Sequence, residues 1–299
     1  MDHTRTRTSV RTYNPNVRVA NWNEELCMEE DMLKDFLGKQ ENGTLLIQRT
    51  QALNQVLLAK TNLSTGKEVN FNDSVMIVNP GREGLKPDGD KQMENLPRKL
   101  LEGRQCSSIS LNVDTWPEGG FDTLVKSVIN LTGSCNTESS CNRNTFQIVK
   151  INNQSNGNDD PDAEPQPLCY GDQFAFRSSL DKNLYIFSDR IRLGGMSQSK
   201  SGNSSLELVP LSENSNGNIP YGAQWTIESF DPNLRMEHEG LPINRNEPII
   251  IKHCATGQCL AAIEKGTVRT PFGRENELGV RTYYNSHKAE MDNNYWFLK

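Results

Sequence analysis

The amino-acid sequence predicts a mainly β protein, built on a β-trefoil-like domain of three pseudo-repeats that follows an N-terminal arm and a helical hairpin. One observation is that, from Val69 onward, apolar residues come in short β-branched or aromatic runs separated by Gly, Asn, Asp and Pro, which is typical of strands and turns. Another is a weak internal repeat, because three segments each open with a turn residue and an acid before an alternating strand. These openings are residues 72–77, 171–176 and 246–251.

The three units also end alike. Each closes on an aromatic residue that begins a final strand, namely Phe146, Trp225 and Trp296. A β-trefoil packs large side chains from its three units around one axis, so we expect these three rings to be buried together. A β-sandwich is the alternative, because any all-β domain has short strands with aromatic residues at their ends.

The helical hairpin is predicted over residues 24–62. Apolar residues recur at helical spacing in two stretches, which Gly38 and the Asn42-Gly43 pair separate. Glycine and Asn-Gly pairs break helices. The second helix is expected to run to about Lys60.

Residues 1–23 form a basic arm before this hairpin. They contain four arginines against Asp2, a net charge of +3, whereas residues 24–41 contain seven acids against two lysines, a net charge of -5. An arginine-rich segment can bind an acidic surface through bidentate carboxylate contacts, and a tryptophan beside it can anchor an interface. The residues that we predict to bind a partner are Arg5, Arg7, Arg11, Arg18 and Trp22.

The β-rich domain is predicted to cover residues 69–299, with three irregular stretches. The first unit carries an insertion near 81–120, which includes a short helix around 93–101. Polar segments at 152–167 and 197–219 are interpreted as exposed loops, because they are rich in Ser, Asn, Gly and Pro.

Composition and charge narrow the function classes. A net charge of -6 argues against a general attraction to nucleic acid or to an anionic membrane. No run approaches the ~18 apolar residues that span a bilayer, and the first thirty residues lack the apolar run of a secretory signal peptide. Seven cysteines are odd in number and irregularly spaced, so we interpret them as reduced cytosolic thiols.

The arrangement of metal-ligating and nucleophilic residues indicates no reaction centre. His253, Cys254 and Cys259 lie close in sequence, but their spacing is not that of structural zinc, and neighbours on a strand point to opposite faces. A cysteine nucleophile needs an adjacent base that a third group orients, and no local signature of that kind is present. We therefore predict that the protein is not an enzyme and holds no cofactor or metal.

Seven blocks of sequence stand out in order along the chain. They are VRVANWNEELCMEEDMLKDFL (17–37), LLIQR (45–49), VMIVNP (75–80), RNTF (143–146), RMEHEGLP (235–242), IKHCATG (251–257) and SHK (286–288). In these blocks, over about 280 of its 299 residues, the chain resembles the cilia- and flagella-associated protein 161 family of microtubule inner proteins. The central insertion, the two polar loops and residues 1–16 do not share the resemblance.

The resemblance implies a structural protein inside the A-tubule of axonemal doublet microtubules, in a cilium or flagellum. It would there bind the luminal face of the α/β-tubulin lattice near the seam, beside neighbouring microtubule inner proteins, and stabilise the axoneme for ciliary motility. It also implies that no residue is catalytic. Neither nucleic acid nor membrane is expected as a partner.

A ligand-binding module is the alternative function. β-Trefoil proteins often carry sugar or phosphate sites in their loops, although a fold does not by itself establish a function. Trp116, Tyr283 and Tyr284 lie in loop-like segments where a sugar ring could stack. A cytosolic module that binds a glycan or a phosphate-bearing ligand therefore stays open.

Overall fold

The structure is a computed structural model. It describes residues 22–81, 107–114, 116–117, 119–151, 166–189, 204–211 and 219–299. For residues 22–27, 264 and 265 it describes the backbone alone. The chain divides into two compact units, Met1–Gln55 and Val56–Lys299.

Two helices are described near the start of the chain, α1 (Trp22–Glu41) and α2 (Leu46–Leu57). Helix α1 continues through Gly38, so the predicted break at that residue is wrong. The helix ends instead at the Asn-Gly pair, where Gly43 has a φ of 68°. The amides of Gly43 and Thr44 donate back to the carbonyls of Gln40 and Lys39, at 3.3 and 2.9 Å. This is the Schellman arrangement, which satisfies the last carbonyls of a helix.

The remainder of the described chain is mainly antiparallel β structure, as predicted. Its strands are β1 (Ser74–Val75), β2 (Ile77–Asn79), β3 (Ser107–Asn112), β4 (Ile129–Ser134), β5 (Phe146–Lys150), β6 (Gln173–Ser178), β7 (Leu184–Phe187), β8 (Ser204–Ser205), β9 (Glu207–Pro210), β10 (Trp225–Ser229), β11 (Ile249–His253), β12 (Leu260–Thr270), β13 (Gly273–Val280) and β14 (Tyr295–Leu298). Two short helices are α3 (Phe121–Val125) and α4 (Arg235–His238), and 3₁₀ turns cover Tyr221–Ala223 and Asp292–Asn294.

The pairing of the strands returns to its starting point. From β1 it passes through β5, β6, β10, β11 and β14 to β2. Strands β1 and β2 flank Met76, whose backbone exchanges hydrogen bonds with that of Lys299 at 3.1 and 3.0 Å. Three further pairs, β3 with β4, β7 with β9, and β12 with β13, lie off this ring. Strand β4 also pairs with both β9 and β13.

Three extended segments, which precede β1, β6 and β11, bond to one another in a cycle. The amide of Val69 donates to the carbonyl of Ile243, that of Ile243 to Leu168, and that of Leu168 to Val69, at 2.8–2.9 Å. All three side chains are fully buried. Three further backbone bonds link the same three segments, from Phe71 to Gln166, from Tyr170 to Leu241 and from Arg245 to Lys67, at 2.8–3.0 Å.

The three closing aromatic residues occupy corresponding positions in the pairing. Phe146, Trp225 and Trp296 are at most 1% exposed. Their partners across the sheet are Val75, Phe174 and Ile249. Each of these follows by three positions a turn residue with positive φ, namely Asn72, Gly171 and Asn246. The indole N–H groups of Trp225 and Trp296 donate to the carbonyls of Ile186 and Leu260, at 3.2 and 3.0 Å.

Two stretches that were predicted to be irregular contain strands. Strand β3 lies within the predicted insertion near 81–120, and its Ile109 and Leu111 are fully buried. The hydrophobicity pattern did not predict this strand because three of its residues are serines, although these serines are buried as well. The Oγ of Ser108 donates to the carbonyl of Asn136 at 2.6 Å.

Strands β8 and β9 lie within the predicted loop at 197–219, so this prediction is wrong for residues 204–210. Leu206 and Leu208 are buried there, but the Ser- and Asn-rich sequence on either side hides this short alternation. The predicted helix around 93–101, residues 152–165 of the other predicted loop and the basic arm up to residue 21 lie outside the described residues.

Candidate interaction surface

The sequence-predicted partner-binding residues are not brought together by the described structure. Arg5, Arg7, Arg11 and Arg18 lie outside the described residues, and Trp22 is the first residue of α1, where only the backbone is described. Their role as a partner-binding group stays a prediction.

A different surface is formed by residues 231–241, which we call the Met236 turn. The side chain of Met236 is 89% exposed, the highest value among the described large apolar residues. Leu234 and Leu241 on either side are 37% and 50% exposed. An apolar group that projects into solvent from a rigid segment is suited to fill a pocket on a partner.

The backbone of the Met236 turn is fixed at both ends. At its start the carboxylate of Asp231 accepts from the amide of Asn233 at 2.9 Å, which is an Asx turn. At its end Gly240, with a φ of 80°, donates to the carbonyl of Tyr170 at 3.0 Å, and the amide of Tyr170 donates to Leu241 at 3.0 Å. The turn is therefore bonded to the segment that leads into β6.

The side chain of Arg235 holds the same turn against the sheet. Its Nε donates to the carbonyl of Ser229 at 3.1 Å, and its guanidinium reaches Glu290 at 2.8 Å and Glu228 at 3.3 Å. Glu228 also accepts from Lys252 Nζ at 2.8 Å. Glu290 is 6% exposed, so the pair with Arg235 is sheltered from solvent and is stronger than an ordinary surface pair.

The electrostatics of this network keep both cations charged. Burial by itself lowers the pKa of Arg235. The hydrogen bond from Arg235 to Glu290 and the negative charges of Glu290 and Glu228 together outweigh this effect, so the pKa of Arg235 is raised overall. The hydrogen bond to Glu228 likewise raises the pKa of Lys252. Arg235 and Lys252 therefore act as permanent positive centres that position the turn.

A small cleft lies beside Met236. It has a volume of about 230 Å³ and is lined by Tyr170, Gly171, Arg235, Glu239 and residues 226–229, together with Met236 itself. His238 packs under it, with its ring centroid 5.7 Å from that of Tyr170 and its Nδ1 3.0 Å from Ser229 Oγ. Charged side chains line one part of the cleft, and the apolar Met236 lies at its edge. A side chain of a partner protein could therefore bind in it.

Sequence reasoning did not find this surface. The contact between Arg235 and Glu290 joins residues 55 positions apart, and no local pattern reveals such a pair. One signal was available, because residues 235–241 of the Met236 turn belong to the block RMEHEGLP, in which a lone methionine lies among charged residues.

Metal and thiol chemistry find little support in the described chain. Among the described residues no group of three or more His, Cys, Asp or Glu side chains is arranged to hold a metal ion. The two ring nitrogens of His253 lie 3.0 Å from Thr256 Oγ1 and 2.9 Å from the Gly222 carbonyl oxygen. Burial raises the pKa of Cys259 to about 11 and also raises that of Cys254. Both thiols therefore stay protonated at neutral pH, and a protonated thiol is a poor nucleophile.

The aromatic residues considered for a sugar site differ in their surroundings. Tyr283 is half-buried with the guanidinium of Arg281 5.2 Å from its ring centroid. Tyr284 is 58% exposed, and Trp116 is half-buried between positions 115 and 118, which the structure does not describe.

Comparison with known proteins decides the family. A model described as the cilia- and flagella-associated protein 161-like domain matches residues 123–299. Cilia- and flagella-associated protein 161 of Danio rerio is 32% identical over 293 residues, which are 97% of this chain and 88% of the relative. The chain belongs to the cilia- and flagella-associated protein 161 family. The cilia- and flagella-associated protein 161 of Mus musculus is 32% identical over 291 residues, which are 96% of this chain and 87% of the mouse protein.

The family match includes the Met236 turn and every described strand from β4 onward. Among solved structures, the SDF2-like protein from Arabidopsis thaliana aligns with a TM-score of 0.44 at 12% identity, covering 78% of this chain and 94% of that chain. Within the described residues, the helices are too short or too polar to cross a lipid bilayer.

Proposed function

We propose that the protein is a structural, non-enzymatic microtubule inner protein of the ciliary axoneme. It binds the luminal face of the α/β-tubulin lattice of the A-tubule, near the seam and beside neighbouring inner proteins, and it stabilises the doublet for motility. The observation that carries this proposal is the similarity, over 96–97% of the chain, to relatives named for their association with cilia and flagella. The position within the A-tubule comes from the family resemblance of the sequence blocks.

The Met236 turn and the basic arm are the proposed contact regions. The turn presents an apolar side chain from a segment that Arg235 and Tyr170 hold in place, so little conformational entropy is lost when a partner covers it. The arm, with Arg5, Arg7, Arg11 and Arg18, would reach acidic groups of tubulin, and Trp22 would anchor it. The Met236 turn would therefore provide a preformed apolar contact, and the basic arm would provide an electrostatic one.

We further propose that the β unit is a β-trefoil, within a chain organised as an arm (1–23), a helical hairpin (24–62) and a β-rich domain (69–299). Support comes from the closed path of pairing, from the two sets of three backbone hydrogen bonds that join three segments in a ring, and from the matching positions of the three closing aromatic residues. Three equivalent units around one axis account for all of these features together. A β-sandwich would explain neither the closed path of strand pairing nor the hydrogen bonds that join three segments in a ring.

Extraction of axonemes tests the proposed location. A tagged full-length chain, expressed in a ciliated cell, should stay with the doublets after detergent and then high salt, because the tubule wall encloses it. A protein bound to the outer surface of the doublet serves as the control and should leave in the salt extract. Recovery of the tagged chain chiefly in the detergent or first salt fraction would contradict the luminal position.

A further inference from the structure

Helix α1 carries several large apolar side chains that are exposed to solvent on one side. We call the set Met28, Met32, Leu33, Phe36 and Leu37 the α1 face. Their exposed fractions are 43, 56, 58, 49 and 45% in that order. Spacings of three and four residues put them on neighbouring rows of one side of the helix, on which Glu29 also lies. A run of five half-exposed large apolar residues differs from the scattered single ones that are normal on a protein surface.

Two more exposed apolar residues follow the turn that ends the helix. The turn after α1 is fixed by its Schellman bonds and by Gln48, whose side-chain amide donates to the carbonyl of Gln40 at 3.1 Å. Leu46 and Ile47, at the start of α2, are 74% and 70% exposed. An ordered turn between two apolar stretches indicates a prepared binding surface, since the connection need not be ordered when a partner binds.

The charges around the α1 face restrict what can cover it. Both lysines of the helix are in ion pairs with acids of the same helix, Lys34 with Glu30 at 3.8 Å and Lys39 with Asp35 at 2.7 Å. The excess negative charge of the described part of α1 therefore rests on residues 29, 31 and 41. A second copy of the chain would bring the same acids, and the whole chain has a net charge of -6. The complementary surface is one with lysine or arginine at its rim.

We propose that the α1 face docks into an apolar groove of a different protein, whose rim carries lysine or arginine. An amphipathic helix that places its apolar rows in a groove, with charges matched at the edges, is a common mode of recognition. The inference rests on the proposed function only in taking the groove to belong to a neighbouring component of the same assembly. The inference gives partners of opposite charge to two adjacent segments. The basic arm would bind an acidic surface, whereas α1 would bind a groove with a basic rim.

Site-specific photo-crosslinking of the full-length chain in ciliated cells tests this inference. Phe36 is replaced by p-benzoylphenylalanine, an apolar photoreactive analogue, and the same analogue at the exposed Lys34, on the other side of the helix, is the matched control. Crosslinked peptides are identified by mass spectrometry. The expected result is a crosslink from position 36 to a different protein, at apolar residues flanked by Lys or Arg, with at least tenfold less product from position 34.

Two further variants sharpen the readout. Met32→Ser with Leu33→Ser should reduce the product from position 36 at least fivefold, and Glu29→Lys with Asp31→Lys should reduce it at least threefold. Asp114→Lys with Glu138→Lys, at exposed positions outside both proposed contact regions, should leave it unchanged. All six positions are exposed or half-exposed, so the variants fold as the parent does.

Several outcomes would overturn the inference. They are a crosslink from position 36 to another part of the same chain, to a second copy or to an acidic segment, equal product from positions 36 and 34, and the absence of product. None of them depends on where in the cell the chain is found. Failure of the luminal location, which axoneme extraction measures, is therefore distinguishable from failure of the groove.

Discussion

The β unit and helix α1 treat their large apolar residues in opposite ways. In the β unit, Phe146, Trp225 and Trp296 are at most 1% exposed. On α1, Met32 and Leu33 are each more than half exposed. Burial of apolar surface is the main driving force of folding and of most protein association. The β unit buries its large aromatic residues in its own core, whereas the apolar residues of α1 are proposed to be buried only when a partner binds. The difference separates residues that determine stability from residues that determine assembly.

The largest predicted effect is at the closing tryptophans of the β unit. Trp225→Ala and Trp296→Ala should each lower the free energy of unfolding by about 3–5 kcal/mol, because each leaves a cavity in a packed core. Each variant also loses an indole hydrogen bond to a buried carbonyl. Urea unfolding of the full-length chain, followed by circular dichroism, measures the change.

Trp22 and Trp116 provide the comparison for that experiment. Both lie outside the repeated units of the sequence, so their alanine variants should cost clearly less than those at Trp225 and Trp296. Equal costs at all four positions would remove the closing tryptophans as markers of a three-unit core.

A second large effect is predicted at a buried ion pair. Arg143 and Glu275 lie 2.6 Å apart with side chains 5% and 3% exposed, and the guanidinium is 4.0 Å from the centroid of the Phe272 ring. Arg143→Met leaves the carboxylate buried without its cation and should lower the free energy of unfolding by about 3 kcal/mol. Adding Glu275→Leu should restore much of the loss, and a double variant less stable than the single one would contradict this.

A smaller, pH-dependent effect is predicted at His253. Burial lowers the pKa of its imidazole below 6.5, against a weaker opposing effect of the hydrogen bond to Gly222. The unfolded chain therefore binds a proton that the folded chain does not, and stability falls as pH drops below about 6.5. The slope from one residue is at most about 1.4 kcal/mol per pH unit. His253→Gln should flatten urea-unfolding midpoints between pH 5 and 6.5, and an unchanged slope would contradict the assignment.

The smallest effect on stability is predicted for the α1 face. Met32→Ser with Phe36→Ser should change the free energy of unfolding of the β unit by less than about 0.5 kcal/mol, as is usual for exposed positions. The same variant should nonetheless lose retention in axonemes. A loss of stability comparable with that of Trp225→Ala would mean that these side chains belong to the core of the free protein.

The sequence predicted the class of the fold better than its boundaries. The repeated turn-acid-strand openings are found at β1, β6 and β11, and the closing aromatic residues are buried as expected. Strand β3 was missed because three of its six residues are serines, and hydrophobic alternation cannot detect a strand whose buried side chains are polar. The end of α1 was misjudged at Gly38, because one glycine within a helix costs only about 1 kcal/mol, whereas the left-handed Gly43 ends it.

The candidate surfaces were less predictable than the fold. Local periodicity located the apolar rows of α1, but sequence alone could not tell whether they are buried. The Met236 turn depends on Glu290 and Tyr170, which are distant in sequence and become neighbours only through the pairing of the strands. Surfaces made by long-range contacts of this kind require coordinates.

The most direct test of the contrast between the units is amide hydrogen exchange of the full-length chain, measured free and in axonemes. The segment 28–41 is compared with β10 as an internal reference. We expect β10 to be strongly protected in both states, and the helical segment to exchange rapidly in the free chain and at least tenfold more slowly after assembly. A helical segment as protected as β10 in the free chain, or one whose exchange is unchanged in axonemes, would contradict the account.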